Sequence, residues 1–286
     1  MQYRHAFHAG NFADVHKHVG LLALLDALAL KDKPFLYLDT HAGSGLYDLQ
    51  GEEARRGDEA GAGVGRLLSQ AGRPAHPAID TYLATLAQLR GLTGGQHYPG
   101  SPLLAAARLR PADRGLCIEA QPQESRRLQR ALDSLGSASR APVRVRAGDG
   151  YEHLVALLPP PERRALVLID PPYEAADEWL RIVQVLPEAL RRFPTGVYAV
   201  WFPVKRERDT ALWLARMARV IRQPAVALQL WLRPRDTAAG LNGSGLLVVN
   251  PPWAFMQEAS AWQQALVQAL GAPPGSGSDL QWVVQE

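Results

Sequence analysis

The chain has 286 residues, 47% of them hydrophobic, so it can bury a full-sized α/β core and is not a disordered polypeptide. A net charge of +3 and a pI near 9.1 permit an anionic partner without requiring one. The single cysteine, Cys117, excludes a disulfide framework and a thiolate metal cluster, and no apolar run approaches the length of a membrane span.

The first eighteen residues are polar, show no secretory leader pattern and carry His5, His8, His16 and His18. A cytoplasmic protein is expected. The spacing lacks the i, i+4 pair and the cysteines of zinc sites, so hydrogen bonding or nucleic-acid contact is the better reading and no metal is expected. His16 and His18 cannot share one helix face, so Lys17 and His18 can point at a ligand while His16 faces elsewhere.

An apolar run, Phe35–Asp39, reads as the first strand and ends in Asp39-Thr40-His41-Ala42-Gly43-Ser44-Gly45. The glycines allow a tight turn. Asp48 stands where the dinucleotide fingerprint has its third glycine, and no Gly-Lys-Ser/Thr phosphate loop follows. A nucleotide-like ligand without a clamped pyrophosphate fits better. The gap to the next strand, Leu116–Glu119, exceeds an ordinary crossover of roughly 30 residues. The excess is read as a helical insertion over 49–97 on the ligand-bearing side, dividing the chain into 1–48, 49–97 and 98–286. It opens on the glycine-broken Gly51–Gly65 and places Ile79, Leu83, Leu86 and Leu89 on one helical face. Tyr98-Pro99-Gly100-Ser101-Pro102 is a turn into a helix, with Ser101 as N-cap, ligand or both.

Beyond it, strands Leu116–Glu119, Val143–Arg146, Ala165–Asp170 and Val197–Phe202 alternate with helices Glu124–Leu135, Tyr151–Leu158, Asp177–Arg191 and Glu207–Val220. Strands Ala225–Leu232 and Leu246–Asn250, a helix over Ala254–Leu270 and a small extra strand, Leu280–Val284, complete the chain. The alternation predicts an α/β fold: a mostly parallel, seven-stranded sheet with helices on both faces. Ligands in such sheets sit beyond the carboxyl ends of the strands. There the sequence places Glu119, suited to both ribose hydroxyls. It also places Asp149-Gly150, an acceptor for an adenine amine beside a glycine that lets the ring approach. With the glycine loop and Asp170, four such ends in register suggest S-adenosylmethionine.

Leu168-Ile169-Asp170-Pro171-Pro172-Tyr173 carries the chemistry. Proline stops the strand, and the second proline holds the first out of the α region. The turn presents a carboxylate, a rigid carbonyl and a ring. The exocyclic nitrogen of adenine is a poor nucleophile because its lone pair is delocalised. Asp170 and the Pro171 carbonyl can accept its two N–H bonds, and Tyr173 can stack on the base. Asn250-Pro251-Pro252-Trp253 also ends an apolar run, but far around the sheet, and is read as a structural turn. Lys205, Arg206, Arg233 and Arg235, near strand ends, are the better candidates for phosphate contact; Arg126 and Arg130 read as a solvated face.

At these residues the chain resembles a known family, the bacterial 23S rRNA adenine-N6 methyltransferases of the J type, which act on adenine 2030. The likeness is carried by Tyr3-Arg4-His5, Phe7–Asn11, Lys17-His18, Lys33–Gly43, Tyr98–Leu103, Leu168–Glu174 and Asn250–Trp253. It implies a Rossmann-like, class I S-adenosylmethionine-dependent methyltransferase with a helical insertion. The implied cofactor contacts fall on His18, His41, Ser101, Glu119, Asp149 and Gly150, and the catalytic acid on Asp170 with Pro171 and Tyr173. Tyr3 and Lys17 would meet the target adenosine. The partner is 23S rRNA, free of protein or partly assembled, with no membrane and a monomer as the default state. The rivals are a DNA adenine-N6 methyltransferase, a glutamine-N5 methyltransferase using Asn250–Trp253, and a non-catalytic RNA- or metal-binding protein on the same scaffold.

Overall fold

The computed structural model describes residues 5–52, 54, 59–69, 76–175, 177–238 and 240–285. Tyr3 and Arg4 lie outside the described residues. The strands are β1 (Leu36–Asp39), β2 (Leu46–Asp48), β3 (His97–Pro99), β4 (Arg114–Glu119), β5 (Val143–Ala147), β6 (Ala165–Ile169), β7 (Val197–Val204), β8 (Ala225–Trp231), β9 (Gly243–Val249) and β10 (Gly277–Val284). The helices are α1 (Phe12–Ala29), α2 (Arg66–Ser69), α3 (Pro77–Thr93), α4 (Ser101–Arg108), α5 (Pro122–Asp133), α6 (Gly150–Ala156), α7 (Glu178–Arg192), α8 (Glu207–Val220) and α9 (Trp253–Ala269).

The main sheet runs β10-β8-β9-β7-β6-β1-β4-β5. β1 lies parallel between β4 and β6, with Asp39 level with Cys117 and Leu168. Chain direction around the sheet reverses at this point, so the crevice opens beyond Asp39, Glu119 and Ile169. β1 and β6 are buried at every position, as strands covered on both faces must be. One apolar layer joins the sheet to α1, α4, α5 and α9; the other joins it to α6, α7 and α8.

The sheet has eight strands, not seven. Leu280–Val284 is the end of β10, which pairs antiparallel with β8 from Gly277 opposite Trp231. β8 is buried at six consecutive positions, Ala225 to Leu230, and β10 closes the edge that would otherwise be open. β9 runs antiparallel between β7 and β8 and puts Val249 level with Tyr198, at the opposite end of the sheet from the crevice. Asn250 follows in a left-handed conformation, φ 53°, and donates its amide to the Pro194 and Gly196 carbonyls. The Asn250–Trp253 turn therefore fixes the loop entering β7. Asn250→Ala should cost about 1–2 kcal/mol of stability in urea unfolding.

α1 is absent from the elements expected along the sequence. Asn11 caps it by accepting the Asp14 N–H. Thirteen of its eighteen residues are buried, including Asp14, His16, Lys17 and His18, so no apolar stripe marks one face. It crosses β9 at Gly20, where a Cβ would stand 2.9 Å from Leu246 and 3.7 Å from Trp262. Between the paired strands β2 and β3, α3 packs on α1, α4 and α9. It buries Ile79, Tyr82, Leu86 and Leu89. Only the start of this stretch, Gly51, Glu52 and Glu59, borders the crevice among the described residues.

Candidate active site

A cleft of about 1550 Å³ lies beyond the carboxyl ends of β1, β4, β6 and β7. One end is walled by Gly43, Ser101 and Glu119, the other by Asp170, Tyr173 and Trp201, and α1 forms the floor between them with Lys17 and His18.

At the first end, Gly43 and Gly45 take positive φ (62° and 75°) and bend the loop after β1. The Gly43 N–H donates to Glu119 Oε2 at 2.8 Å and the Gln121 N–H to Oε1 at 2.7 Å. Burial raises the Glu119 pKa despite these bonds. Asp39 is fully buried and accepts from Tyr37 Oη at 2.8 Å and Ser101 Oγ at 2.7 Å. Ser101 thus serves a carboxylate rather than its own helix, which has no side-chain cap. Burial pushes the Asp39 pKa up to about 6, with nearby Asp170 adding to the rise.

That shift has a sign. A carboxyl whose folded pKa exceeds its unfolded value, about 3.9, adds stability at low pH that disappears as pH rises through about 6. Wild-type protein should therefore lose stability relative to Asp39→Asn between about pH 4 and pH 6. Urea unfolding at both pH values checks this; a pH-independent difference would refute it.

The second end is built on a buried charge cluster. Lys17 Nζ donates to Asp14 Oδ1 at 2.8 Å and to Asp170 Oδ2 at 2.5 Å. Asp14 also accepts from the Gly10 N–H and bonds His5 Nε2, each at 2.9 Å. Burial opposes the Lys17 charge, but Asp14 and then Asp170 outweigh it and raise its pKa. Burial likewise opposes the Asp14 charge; His5 and Lys17 overcome it and hold that carboxyl well below its usual range. Lys17 occupies Oδ2 of Asp170, and Asp170 lines the cleft.

Tyr173 follows the two prolines with φ 52°, a conformation a bulky residue adopts only when its surroundings impose it. Its hydroxyl donates to the Trp201 carbonyl at 2.6 Å, and its ring packs 4.6 Å from Trp179. His18 bonds Tyr98 Oη at 2.8 Å, and burial pushes its pKa down to about 3. His41 bonds Thr40 Oγ1 and meets the Tyr151 ring edge-on at 4.8 Å; burial pushes its pKa down to about 4. Both are neutral donors or acceptors at neutral pH.

The match to known proteins is now decisive. The model of the family described as ribosomal RNA large subunit methyltransferase D, RlmJ, matches residues 32–284. The chain is 38% identical to ribosomal RNA large subunit methyltransferase J of Haemophilus influenzae and 37% identical to its Escherichia coli namesake, covering 100% of each. The chain belongs to this family. Protein LPL1258 of Legionella pneumophila, known from a crystal structure, superposes with a TM-score of 0.85 at 35% identity, over 96% of this chain and 98% of that one. A probable spermidine synthase from Corynebacterium glutamicum shares the fold alone: TM-score 0.51, 13% identity, 93% of this chain and 74% of that one. The fold is the Rossmann-like class I methyltransferase fold, with eight strands.

Within that family frame, the structure gathers Lys17, His18, His41, Ser101, Glu119, Asp170, Pro171 and Tyr173 around one cleft. Asp149 and Gly150 do not line this cleft. Asp149 Oδ1 caps α6 by accepting the Tyr151 and Glu152 N–H groups, and Oδ2 pairs with Arg181 at 2.8 Å. Arg181 overrides burial and lowers the Asp149 pKa. Gly150 is required by the fold itself: a Cβ there would stand 1.9 Å from the Thr40 carbonyl oxygen. The sequence reading finds no partner for Asp170, because Lys17 lies 153 residues away. It also misses Asp14 and Trp201, which wall the same end of the cleft. Of the basic residues expected to meet phosphate, Arg235 pairs with Glu207 at 2.6 Å and covers the Trp231 ring, whereas Lys205 lines the cleft. Arg126, read from sequence as a solvated face, borders the cleft as well. No helix among the described residues is long and apolar enough to cross a membrane, and no group of three metal-ligating side chains is found among them.

Proposed function

We propose that this protein transfers the methyl group of S-adenosylmethionine to the exocyclic N6 of adenine 2030 in 23S rRNA. The observation that carries the reading is the Asp170-Pro171-Pro172-Tyr173 corner, braced by Lys17 and facing the same cleft as Glu119. Family membership supports rRNA as the substrate. The Glu119 end suits the cofactor: a buried carboxylate, already oriented by two backbone N–H groups, can meet a ribose diol. His41, Ser101 and His18 line the same cleft as further cofactor contacts, and Asp149 with Gly150, beside Tyr151 and the His41 ring it meets, is the proposed contact to the adenine of the cofactor. The cofactor, when bound, supplies an electrophilic methyl group.

The protein's part is positioning. Asp170 Oδ1 and the Pro171 carbonyl accept the two N6–H bonds and favour a pyramidal nitrogen. Tyr173, fixed by Trp201 and Trp179, offers a flat wall to a base that is unpaired or flipped out of a helix. Holding both groups in line and excluding water supplies most of the acceleration. The N6 proton becomes acidic only after transfer and is then lost to water, directly or by relay, so Asp170 need not be a strong base. Lys17 serves the target-adenosine side of the cleft, Tyr3 is a proposed contact to that adenosine, and protein-free or partly assembled 23S rRNA is the proposed substrate form.

Two measurements test the reading. Glu119→Ala should weaken S-adenosylmethionine binding in calorimetry by about tenfold or more, the effect of removing a charged hydrogen-bonding partner. Incubation with 23S rRNA and with duplex DNA should give N6-methyladenine in the RNA alone. Methylation of the DNA would favour the rival DNA methyltransferase.

A further inference from the structure

Trp201, on β7, touches both groups that flank Asp170. Its backbone carbonyl accepts the Tyr173 hydroxyl, its ring centroid lies 5.6 Å from that of Tyr173, and Lys17 Nζ stands 5.8 Å from its ring. Its indole N–H points into the core and donates to Ser244 Oγ at 2.9 Å. Ser244, on β9, is fully buried and lines no part of the cleft.

The bonds continue inward behind Trp201. Ser244 Oγ, which accepts the indole N–H, also bonds His16 Nδ1 at 2.9 Å and reaches the Ala13 carbonyl at 3.4 Å. The other ring nitrogen of His16 is Nε2. That nitrogen is buried without a well-formed hydrogen bond, as is Gln263 Oε1 on α9, and Gln263 is the side chain that interacts with it. Burial pushes the His16 pKa down to about 4, so the ring is neutral at neutral pH. A hydrogen-bonded chain runs from the cleft wall through β9 to α1, Trp201 to Ser244 to His16, with Gln263 of α9 beside its end. Every link beyond Trp201 is at most 1% exposed.

We infer that Ser244 and His16 are positioning residues for methyl transfer, which hold the Trp201 indole where it keeps Tyr173 and Lys17 in register with Asp170. The inference rests on the cleft being the methyl-transfer site. It also gives a role to the one histidine of the Asp14–His18 run that faces away from the cleft.

The test is a double-mutant cycle on the full-length protein, with S-adenosylmethionine and a 23S rRNA transcript. Ser244→Ala should lower kcat by about tenfold to a hundredfold, the effect of a misplacement remote from the chemistry, with the Kd for S-adenosylmethionine unchanged. Trp201→Phe keeps a ring but drops the first donor, and should lower kcat similarly. In the Trp201→Phe background, Ser244→Ala should add nothing further, because Ser244 acts through the indole. Wild-type kcat in Ser244→Ala, or additive losses in the double variant, would overturn the inference. Should Ser244→Ala not fold, Trp201→Phe decides alone: reduced kcat with intact cofactor affinity supports the chain, and full activity refutes it. A wild-type protein that methylates no rRNA overturns the proposed function and takes this inference with it.

Discussion

Asp170→Asn should reduce methyl transfer by about a thousandfold or more while leaving S-adenosylmethionine affinity unchanged. The substitution keeps the size of the side chain and changes only its hydrogen-bonding character. Lys17 Nζ, 2.5 Å from Oδ2, would draw the amide oxygen toward itself. The amide NH₂ would then face the target N6–H, donor against donor. The Glu119 end of the cleft, where Gly43 and Gln121 orient the carboxylate, would be untouched. Lys17 would still hold Asp14 at 2.8 Å, so the fold should survive. Single-turnover transfer, paired with calorimetry of cofactor binding, separates the two effects.

Lys17→Met should have the second largest effect, and on two quantities at once. The lysine is shared between Asp14, 3% exposed, and Asp170, 14% exposed. Removing it leaves two carboxylates without their shared cation, with His5 and the Gly10 N–H as the remaining partners of Asp14. An uncompensated buried charge costs about 3–5 kcal/mol. Stability in urea should fall by that order, and methyl transfer should be lost because Asp170 is no longer aimed. The double variant Lys17→Met/Asp14→Asn distinguishes the two roles. It removes the unpaired buried acid and should recover much of the stability, with no recovery of transfer. A single variant as stable as wild type would contradict the charge cluster described for α1.

The sheet was largely legible because each of its parallel strands is a short apolar run that stops at a turn signal. β6 shows this best: five buried residues end at Asp170-Pro171-Pro172, a stop that proline enforces. β10 was harder to weigh. Its role depends on which edge it covers, and that is a property of β8, some fifty residues earlier. α1 carries no readable period because it is buried nearly all round, yet it delivers Lys17 to the site. Acids at strand ends are equally ambiguous in sequence. Glu119 ends β4 and Asp149 follows β5, and a helix comes after each. Glu119 is held by backbone N–H groups at the cleft, whereas Asp149 caps α6 and pairs with Arg181. These partners come from other parts of the chain or from backbone geometry, and neither is readable at the acid itself. The pairing of Lys17 with Asp170, and the chain from Trp201 to His16, join residues far apart in sequence and leave no local trace.

The central claim is that a lysine-braced aspartate at the end of β6 directs a methyl group to N6 of one adenine. Mass mapping of 23S rRNA incubated with S-adenosylmethionine and either wild-type or Asp170→Asn protein tests it most directly. The account predicts N6-methyladenine at position 2030 with the wild type and an unmodified adenine with the variant. Equal modification by both proteins, or a methyl group on any other atom, would contradict it.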